Sequence, residues 1–128
     1  MQFNLLCDDD TFNPETSMWR YYELINEAAE KFGRPLTPKH PFRQIVAEAG
    51  FANLQEKVFK LPLGTWPADP KQKELGRWFQ LVGESGFEAH GLALLTRVLG
   101  MEVAKVKALI DGCRAEMRSR KVHGYATL

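Results

Sequence analysis

The fold is decided in the stretch NLQEKVFKLPLGTWPADP, residues 53–70. Its first half, residues 53–61, contains a valine and a phenylalanine that favour a strand, because β-branched and aromatic side chains pack well on a pleated surface. Three prolines within residues 61–70 restrict the backbone and predict a loop of fixed shape rather than a flexible linker. The Asp-Pro pair at 69–70 predicts the start of a helix, because proline is favoured at the first helical position. A strand, a rigid loop and a helix are therefore expected in succession.

Apolar residues at helical spacing predict about five helices in the whole chain. Proline or capping side chains mark their starts, and glycines mark several of their ends. The expected ranges are about 14–32, 38–49, 69–84, 85–99 and 101–119. The boundary after residue 84 depends on the string Ser85-Gly86-Phe87-Glu88, which matches a capping box. With two or three short strands near residues 2–7, 53–61 and 122–128, the pattern predicts a mainly helical α+β fold, a single domain over residues 1–128.

Composition and charge exclude several classes of partner. Seventeen Lys and Arg against sixteen Asp and Glu give a formal charge of +1, which offers no general attraction to nucleic acid or acidic membranes. Neither a signal peptide nor a membrane-spanning run stands out, so a cytoplasmic protein with no membrane partner is expected. The two cysteines form no C-x-x-C pair and predict reduced thiols. His40 and His123 are expected to be solvated, and no metal is predicted.

Several strings, taken in order along the chain, resemble one known family. They are NEAAEKFGRP at 26–35, EAGF at 48–51, QEKVFKLPLGTWP at 55–67, KELGR at 73–77 and LALLTRVLG at 92–100. These strings are similar to the C-terminal half of fungal LaeA-like methyltransferases of secondary metabolism, a class I family that depends on S-adenosylmethionine. Because they span most of the chain in the family's order, the resemblance is specific.

The resemblance implies a truncated methyltransferase-like domain. That family binds its cofactor on a doubly wound sheet with a glycine-rich first turn, and no such turn follows any predicted strand here. The resemblance therefore implies that this chain binds no cofactor and does not transfer methyl groups alone. It also implies that the closing strand is cut short after Tyr125, leaving an exposed sheet edge. Such an edge favours a homodimer or a heteromer with another biosynthetic enzyme.

His90 is the first candidate for a catalytic residue. It shares a helical stripe with Phe87 and Leu94, so its ring is expected to point inward, toward a substrate. The resembling family has an aromatic residue at the matching position, in a helix that forms part of the substrate pocket, so a histidine there would add acid–base capacity near neutral pH. The alternative is a buried histidine bonded to a backbone carbonyl. Asp9 and Asp10 are further catalytic candidates, with helix capping by this acidic turn as the alternative.

Large aromatic rings supply the candidate walls of a substrate pocket. The predicted substrate-binding residues are Trp19, Tyr22, Trp66, Trp78 and Phe87. Rings line pockets for planar metabolites, although an aromatic stripe at helical spacing also fills protein cores. Two functions are expected: a cofactor-independent cyclase or isomerase of a small-molecule natural-product intermediate, or a non-catalytic accessory subunit that docks on a full-length methyltransferase or another biosynthetic enzyme. A pocket lined by rings and one histidine would favour the first, and a flat apolar face the second.

Overall fold

A computed structural model describes residues 5–36 and 41–127. Within these residues the chain forms four α-helices, one π-helical segment and three short strands. Their order is β1 (Leu5–Leu6), α1 (Ser17–Lys31), α2 (Phe42–Glu48), β2 (Lys60–Pro62), α3 (Pro70–Ala93), the π segment (Leu94–Val98), α4 (Val103–Ser119) and β3 (Tyr125–Thr127). The prediction of a mainly helical α+β fold is confirmed, but the expected number of helices is too high by one. The predicted start of the second helix, at Thr37 and Pro38, lies outside the described residues.

The two helices expected over 69–84 and 85–99 form one continuous helix, α3, which runs on into the π segment. Asp69 caps its start as predicted, since its side chain accepts from the Gln72 N–H at 2.8 Å. The predicted helix boundary at Ser85 is wrong, because α3 continues through this position and its residues contact α4. Glu88 forms an ion pair with Arg114 of α4 at 3.3 Å instead of capping a helix start. The Arg114 Nε also donates to the Glu84 carbonyl at 2.8 Å, so α4 contacts the middle of an unbroken α3.

Helix α1 begins later than the pattern suggests. Residues 13–16 form a turn before the helix, in which the Thr16 N–H donates to the Asn13 carbonyl at 2.9 Å. Thr16 is the true cap and accepts from the Trp19 N–H. A second cap comes from α4, where the Glu116 carboxylate accepts from the backbone N–H groups of the first two helical residues at 2.6 and 2.9 Å. A remote carboxylate thus satisfies the first two backbone donors of this helix.

The three strands form a small antiparallel sheet in the order β1-β3-β2. Ala126 of β3 lies opposite Leu5 on one side and Leu61 on the other. The expectation that the tail after Tyr125 leaves an exposed edge is therefore wrong, because β3 is the central strand and both of its edges are paired. Within the described residues, the free edges belong to β1 and β2. The strand expected over 53–61 is also shorter than predicted, since only β2 pairs.

The core lies between α1, α4, the π segment and the start of the tail. Its largest fully buried side chains are Met18, Leu95, Val106, Ile110 and Cys113. The apolar side chains of α4 that recur every three or four residues from Val106 to Met117 are buried, whereas Val103 is exposed. Gly112 of α4 faces α1, where a Cβ would lie 2.4 Å from the Ser17 hydroxyl oxygen. The absence of a side chain at Gly112 lets the two helices approach closely, which supplies the tertiary support that a helical glycine needs.

The proline-rich loop after β2 packs between α3 and α4. Residues 61–64 are buried. A Cβ at Gly76 of α3 would lie 1.9 Å from the Gly64 carbonyl oxygen, and a Cβ at Gly64 would lie 2.6 Å from the Met117 carbonyl oxygen of α4. Trp66 anchors the end of the loop by donating its indole N–H to the Gly124 carbonyl at 3.1 Å. The loop therefore fixes the two helices and the tail relative to each other.

Candidate functional site

Asp9 belongs to a polar cluster that joins the N-terminal turn to the C-terminal tail. Its carboxylate accepts from the Cys7 thiol at 3.0 Å, from the Thr11 hydroxyl at 2.7 Å, from the Thr11 N–H at 3.2 Å and from Nδ1 of His123. These bonds, from Cys7, His123 and Thr11, hold the pKa of Asp9 well below its ordinary value. A carboxylate so strongly stabilised in its charged form is a poor general base. The geometry favours a structural role for Asp9.

The other two aspartates of this turn also form hydrogen bonds within the fold. Asp8 accepts from the Lys60 ammonium at 2.6 Å and from the Tyr125 hydroxyl at 2.7 Å, and these bonds lower its pKa. Asp10 is exposed, has a left-handed backbone with φ of 60°, and uses its carbonyl to accept from the Asn13 amide. Asp10 lines neither the Trp19–Tyr22 groove nor the cleft between α3 and α4, and its catalytic role stays a prediction. The acidic turn links β1 to β2 and β3 instead.

His90 is exposed, so the prediction that its ring points inward is wrong. Because α3 continues without a break, its inward face near this point consists of Phe87 and Gly91, both against Tyr21. His90 lies about 100° around the helix from Gly91. Its Nδ1 lies 2.9 Å from the Gly86 carbonyl of the preceding turn. The alternative of a histidine bonded to a backbone carbonyl thus describes its contact, although the residue is not buried.

The five predicted substrate-binding rings lie in four different places. Trp19 and Tyr22 share an open groove of about 450 Å³. Trp66 lies over the His123 ring, with centroids 5.0 Å apart. Phe87 packs edge-on against Tyr21 at 5.1 Å, and Trp78 is 62% exposed. The groove contains only Trp19 and Tyr22 of the five, and His90 lines neither this groove nor the cleft of about 360 Å³ between α3 and the end of α4.

Helix α3 presents a continuous exposed apolar surface. It consists of Leu75, Trp78, Leu81 and Val82, which we call the α3 apolar face. Their exposed fractions are 41%, 62%, 58% and 63%. Spacings of three and four residues place them on adjacent turns of one side of the helix, so they form a patch rather than scattered side chains. The sequence pattern predicts an apolar face of Leu75, Trp78, Phe79 and Val82, but the structure packs the half-buried Phe79 against the core and exposes the other three together with Leu81.

Two interacting side chains of the candidate region are not predicted from the sequence. His123 was expected to be solvated, yet it contacts Asp9 and lies against Trp66. Glu116 has no local motif, although it caps α1 from across the core. No spacing rule identifies such contacts, because the partners are about a hundred residues apart in the chain.

Within residues 5–36 and 41–127, no three His, Cys, Asp or Glu side chains are grouped as metal ligands, and no helix has the length and hydropathy to cross a bilayer.

Comparison with known proteins identifies the relatives of this chain. The secondary metabolism regulator LAE1 of Cochliobolus heterostrophus is 39% identical over 120 residues, which cover 93% of this chain and 39% of that protein. The chain corresponds to the C-terminal part of the LaeA-like methyltransferases. The probable methyltransferase tdiE of Emericella nidulans is 33% identical over 92% of this chain and 37% of its own length. The protein-methionine methyltransferase laeA of Chaetomium globosum is 33% identical over 94% of this chain and 38% of its own length.

The chain thus spans about two fifths of the length of these LaeA-like relatives. No family model and no solved structure matches it. The resemblance stated from residue strings is confirmed by these identities, which extend over nearly the whole chain.

Proposed function

We propose that this chain is a methyltransferase-like component of fungal secondary metabolism that acts by docking on a methyltransferase-type partner. The α3 apolar face carries the proposal. Four neighbouring apolar side chains, each at least two fifths exposed, are unfavourable in water and typical of a protein-binding surface. Burying the exposed part of each would contribute about 1 kcal/mol to a complex, since complete burial of such side chains contributes roughly 1.5–3 kcal/mol.

The small sheet offers a second contact for the same partner. Strand β1 pairs only with β3 among the described residues, and Leu6 on it is 43% exposed. The outer backbone groups of an edge strand are a template for another strand. A larger methyltransferase sheet would continue from this edge.

The length of the relatives supports a partner of this kind. In them, a region like this chain makes up about two fifths of one protein, and further polypeptide makes up the other three fifths. Apolar faces and sheet edges that are exposed here are the features that such additional polypeptide would cover. The proposed partner is therefore a full-length LaeA-like methyltransferase, and methyl transfer is not assigned to the chain by itself.

The test measures association with a full-length LaeA-like methyltransferase from the same organism, by light scattering and titration calorimetry. Trp78→Ser and Val82→Ser should weaken the complex at least tenfold. Val58→Ser is the matched control, because Val58 and Val82 are both 63% exposed and Val58 lies outside α3. A partner that binds all variants equally, or no complex at high micromolar concentration, would contradict the proposal. Self-association that depends on Trp78 would identify the partner as a second copy instead.

A second candidate function is a cofactor-independent cyclase or isomerase. The groove between Trp19 and Tyr22 favours it, because two rings and the carboxylates of Glu23, Glu27 and Glu30 line about 450 Å³. Any acid–base group would then be one of these carboxylates rather than His90. Incubation with pathway intermediates in the absence of S-adenosylmethionine would show a product of unchanged mass, lost in one of the variants Glu23→Gln, Glu27→Gln and Glu30→Gln. Absence of turnover, or full turnover in all three variants, would count against this candidate.

A further inference from the structure

A cleft of about 360 Å³ lies between α3 and the end of α4, separate from the Trp19–Tyr22 groove. Four cationic side chains line it, with one carboxylate and one hydroxyl: Lys73, Arg77, Arg118, Arg120, Glu84 and Thr65. The cations of α3 come from positions four residues apart, so they project from the same side of that helix. Two helices and the loop after β2 therefore converge on one positively charged recess.

Most of this charge is not neutralised within the described residues. Arg118 donates through Nε to Glu84 at 2.7 Å and through a second nitrogen to the other carboxylate oxygen, and this lowers the pKa of Glu84. Lys73, Arg77 and Arg120 take part in none of the ion pairs found in residues 5–36 and 41–127. Three positive charges thus surround one recess in a chain whose formal charge is +1.

Arg120 occupies a backbone position that favours glycine. It follows the last residue of α4 in the left-handed conformation, with φ of 58°. Glycine is the common residue at this end of a helix because it has no Cβ. Cations near a helix C-terminus also complement the helix dipole, which would account for Arg118 and Arg120. The dipole of α4 does not account for Lys73 and Arg77, which belong to another helix.

We propose that this cleft binds a small molecule that carries a phosphate or pyrophosphate group. Guanidinium groups match phosphate oxygens in pairs and an ammonium adds a point charge, whereas Thr65 adds a hydroxyl donor. Three unpaired cations call for a ligand with more than one negative charge. The volume lies at the lower end of the usual range for small-molecule sites, about 300–1,000 Å³, and suits a small ligand better than a nucleic acid or an acidic protein segment. Leu81 of the α3 apolar face borders the cleft, but the inference rests on Lys73, Arg77 and Arg120, which lie outside that face.

The experiment titrates the 128-residue chain with inorganic pyrophosphate and with ADP, followed by amide NMR shifts and calorimetry. We expect saturable one-to-one binding, with shifts confined to Thr65, the Lys73–Glu84 turns of α3 and the end of α4. Arg77→Gln should weaken binding at least tenfold. Arg120→Gly should weaken it similarly while keeping or raising the melting temperature, because glycine accepts the left-handed backbone. Lys107→Gln is the matched control, since it removes one positive charge from an exposed position of α4 outside the cleft.

The outcomes separate this proposal from its alternatives. Failure of both pyrophosphate and ADP to bind would overturn it. Equal weakening by Lys107→Gln would show attraction by net charge rather than a site. Binding to vesicles that contain phosphatidic acid, without binding of the soluble probes, would place a lipid headgroup in the cleft and overturn the assignment to a soluble ligand. Unchanged affinity in Arg120→Gly at an unchanged melting temperature would limit Arg120 to a capping role and contradict the proposed ligand set.

Discussion

Replacing Gly76 with alanine tests the packing of α3 on the loop after β2. The new Cβ would lie 1.9 Å from the Gly64 carbonyl oxygen, whereas ordinary contacts of a Cβ begin near 3.4 Å. The loop has little room to retreat, because Gly64 is itself packed against the Met117 carbonyl of α4. Overpacking of this kind typically costs about 1–3 kcal/mol, and more against rigid backbone. Alanine regains about 1 kcal/mol through its higher helix propensity. We therefore expect Gly76→Ala to lower the free energy of unfolding by about 2 kcal/mol or more.

Gly86→Ala, on the same helix, provides the matched control. The nearest atom to a Cβ at Gly86 is Nδ1 of His90 at 3.8 Å, which is an ordinary contact. Without a clash, the gain in helix propensity should raise the free energy of unfolding by up to about 1 kcal/mol. Urea denaturation followed by far-ultraviolet circular dichroism measures both variants. The two substitutions should have opposite signs, and a Gly76→Ala protein stabilised like Gly86→Ala would refute the close approach of α3 to the loop.

Three further predictions concern single side chains. Glu116→Ala should lower the free energy of unfolding by roughly 1.5–3 kcal/mol, because the Glu116 carboxylate accepts two N–H groups at the start of α1. Glu102→Ala is the control, because Glu102 lies in an exposed ion pair, and it should lower the free energy of unfolding by under about 0.5 kcal/mol. Urea denaturation measures both variants. The pKa of Asp9 is lowered in the folded state, so its stabilising contribution is fully present above its ordinary value of 3.8 and is lost as the pH falls through the folded value. Melting temperatures measured from neutral to strongly acidic pH should therefore fall less steeply in Asp9→Asn, and identical pH profiles would contradict this account. Burial raises the pKa of the Cys113 thiol to about 12, so iodoacetamide at pH 8 should modify this thiol only after denaturation. Mass spectrometry of the peptide that contains Cys113 measures the modification. Rapid modification of the native protein would mean that α4 is not packed as described.

Features that depend on neighbouring residues are predicted well from the sequence. Asp69 caps α3 as expected, and Gly33, Gly50 and Gly100 have the positive φ angles that end helices. The apolar spacing of α4 also predicts its buried face. Caps and helix periods involve residues within about four positions of each other, so the local sequence contains the information that determines them.

The capping-box sequence at Ser85–Glu88 shows that a local motif alone does not predict whether a helix starts at that position. The same residues are compatible with a helix start and with the middle of a longer helix. Arg114 of α4 decides between them by contacting Glu84 and Glu88 along one continuous α3. Since that contact joins segments about thirty residues apart, no motif in either segment predicts it.

Among the candidate site residues, too, some placements follow from local spacing and others depend on tertiary contacts. The pairing of Trp19 with Tyr22 follows from a spacing of three residues on α1, and the structure places both in one groove. The direction of His90 does not follow from its helical stripe, because periodicity gives the width of a face but not the side on which the core lies. The contact of Asp9 with His123 depends on β3 pairing between β1 and β2, which brings the two ends of the chain together.

The sequence by itself determined the mainly helical composition, most of the helix ends, the proline-rich loop after β2 and the relationship to LaeA-like methyltransferases. Only the tertiary structure decided that α3 is continuous, that its apolar face is exposed, and that cations from α3 and α4 share one cleft. The physical reason is the range of the interactions. Hydrogen bonds of caps and turns act within a few residues, whereas the orientation of a helix follows from the total packing of distant segments, such as Gly64 between Gly76 and Met117.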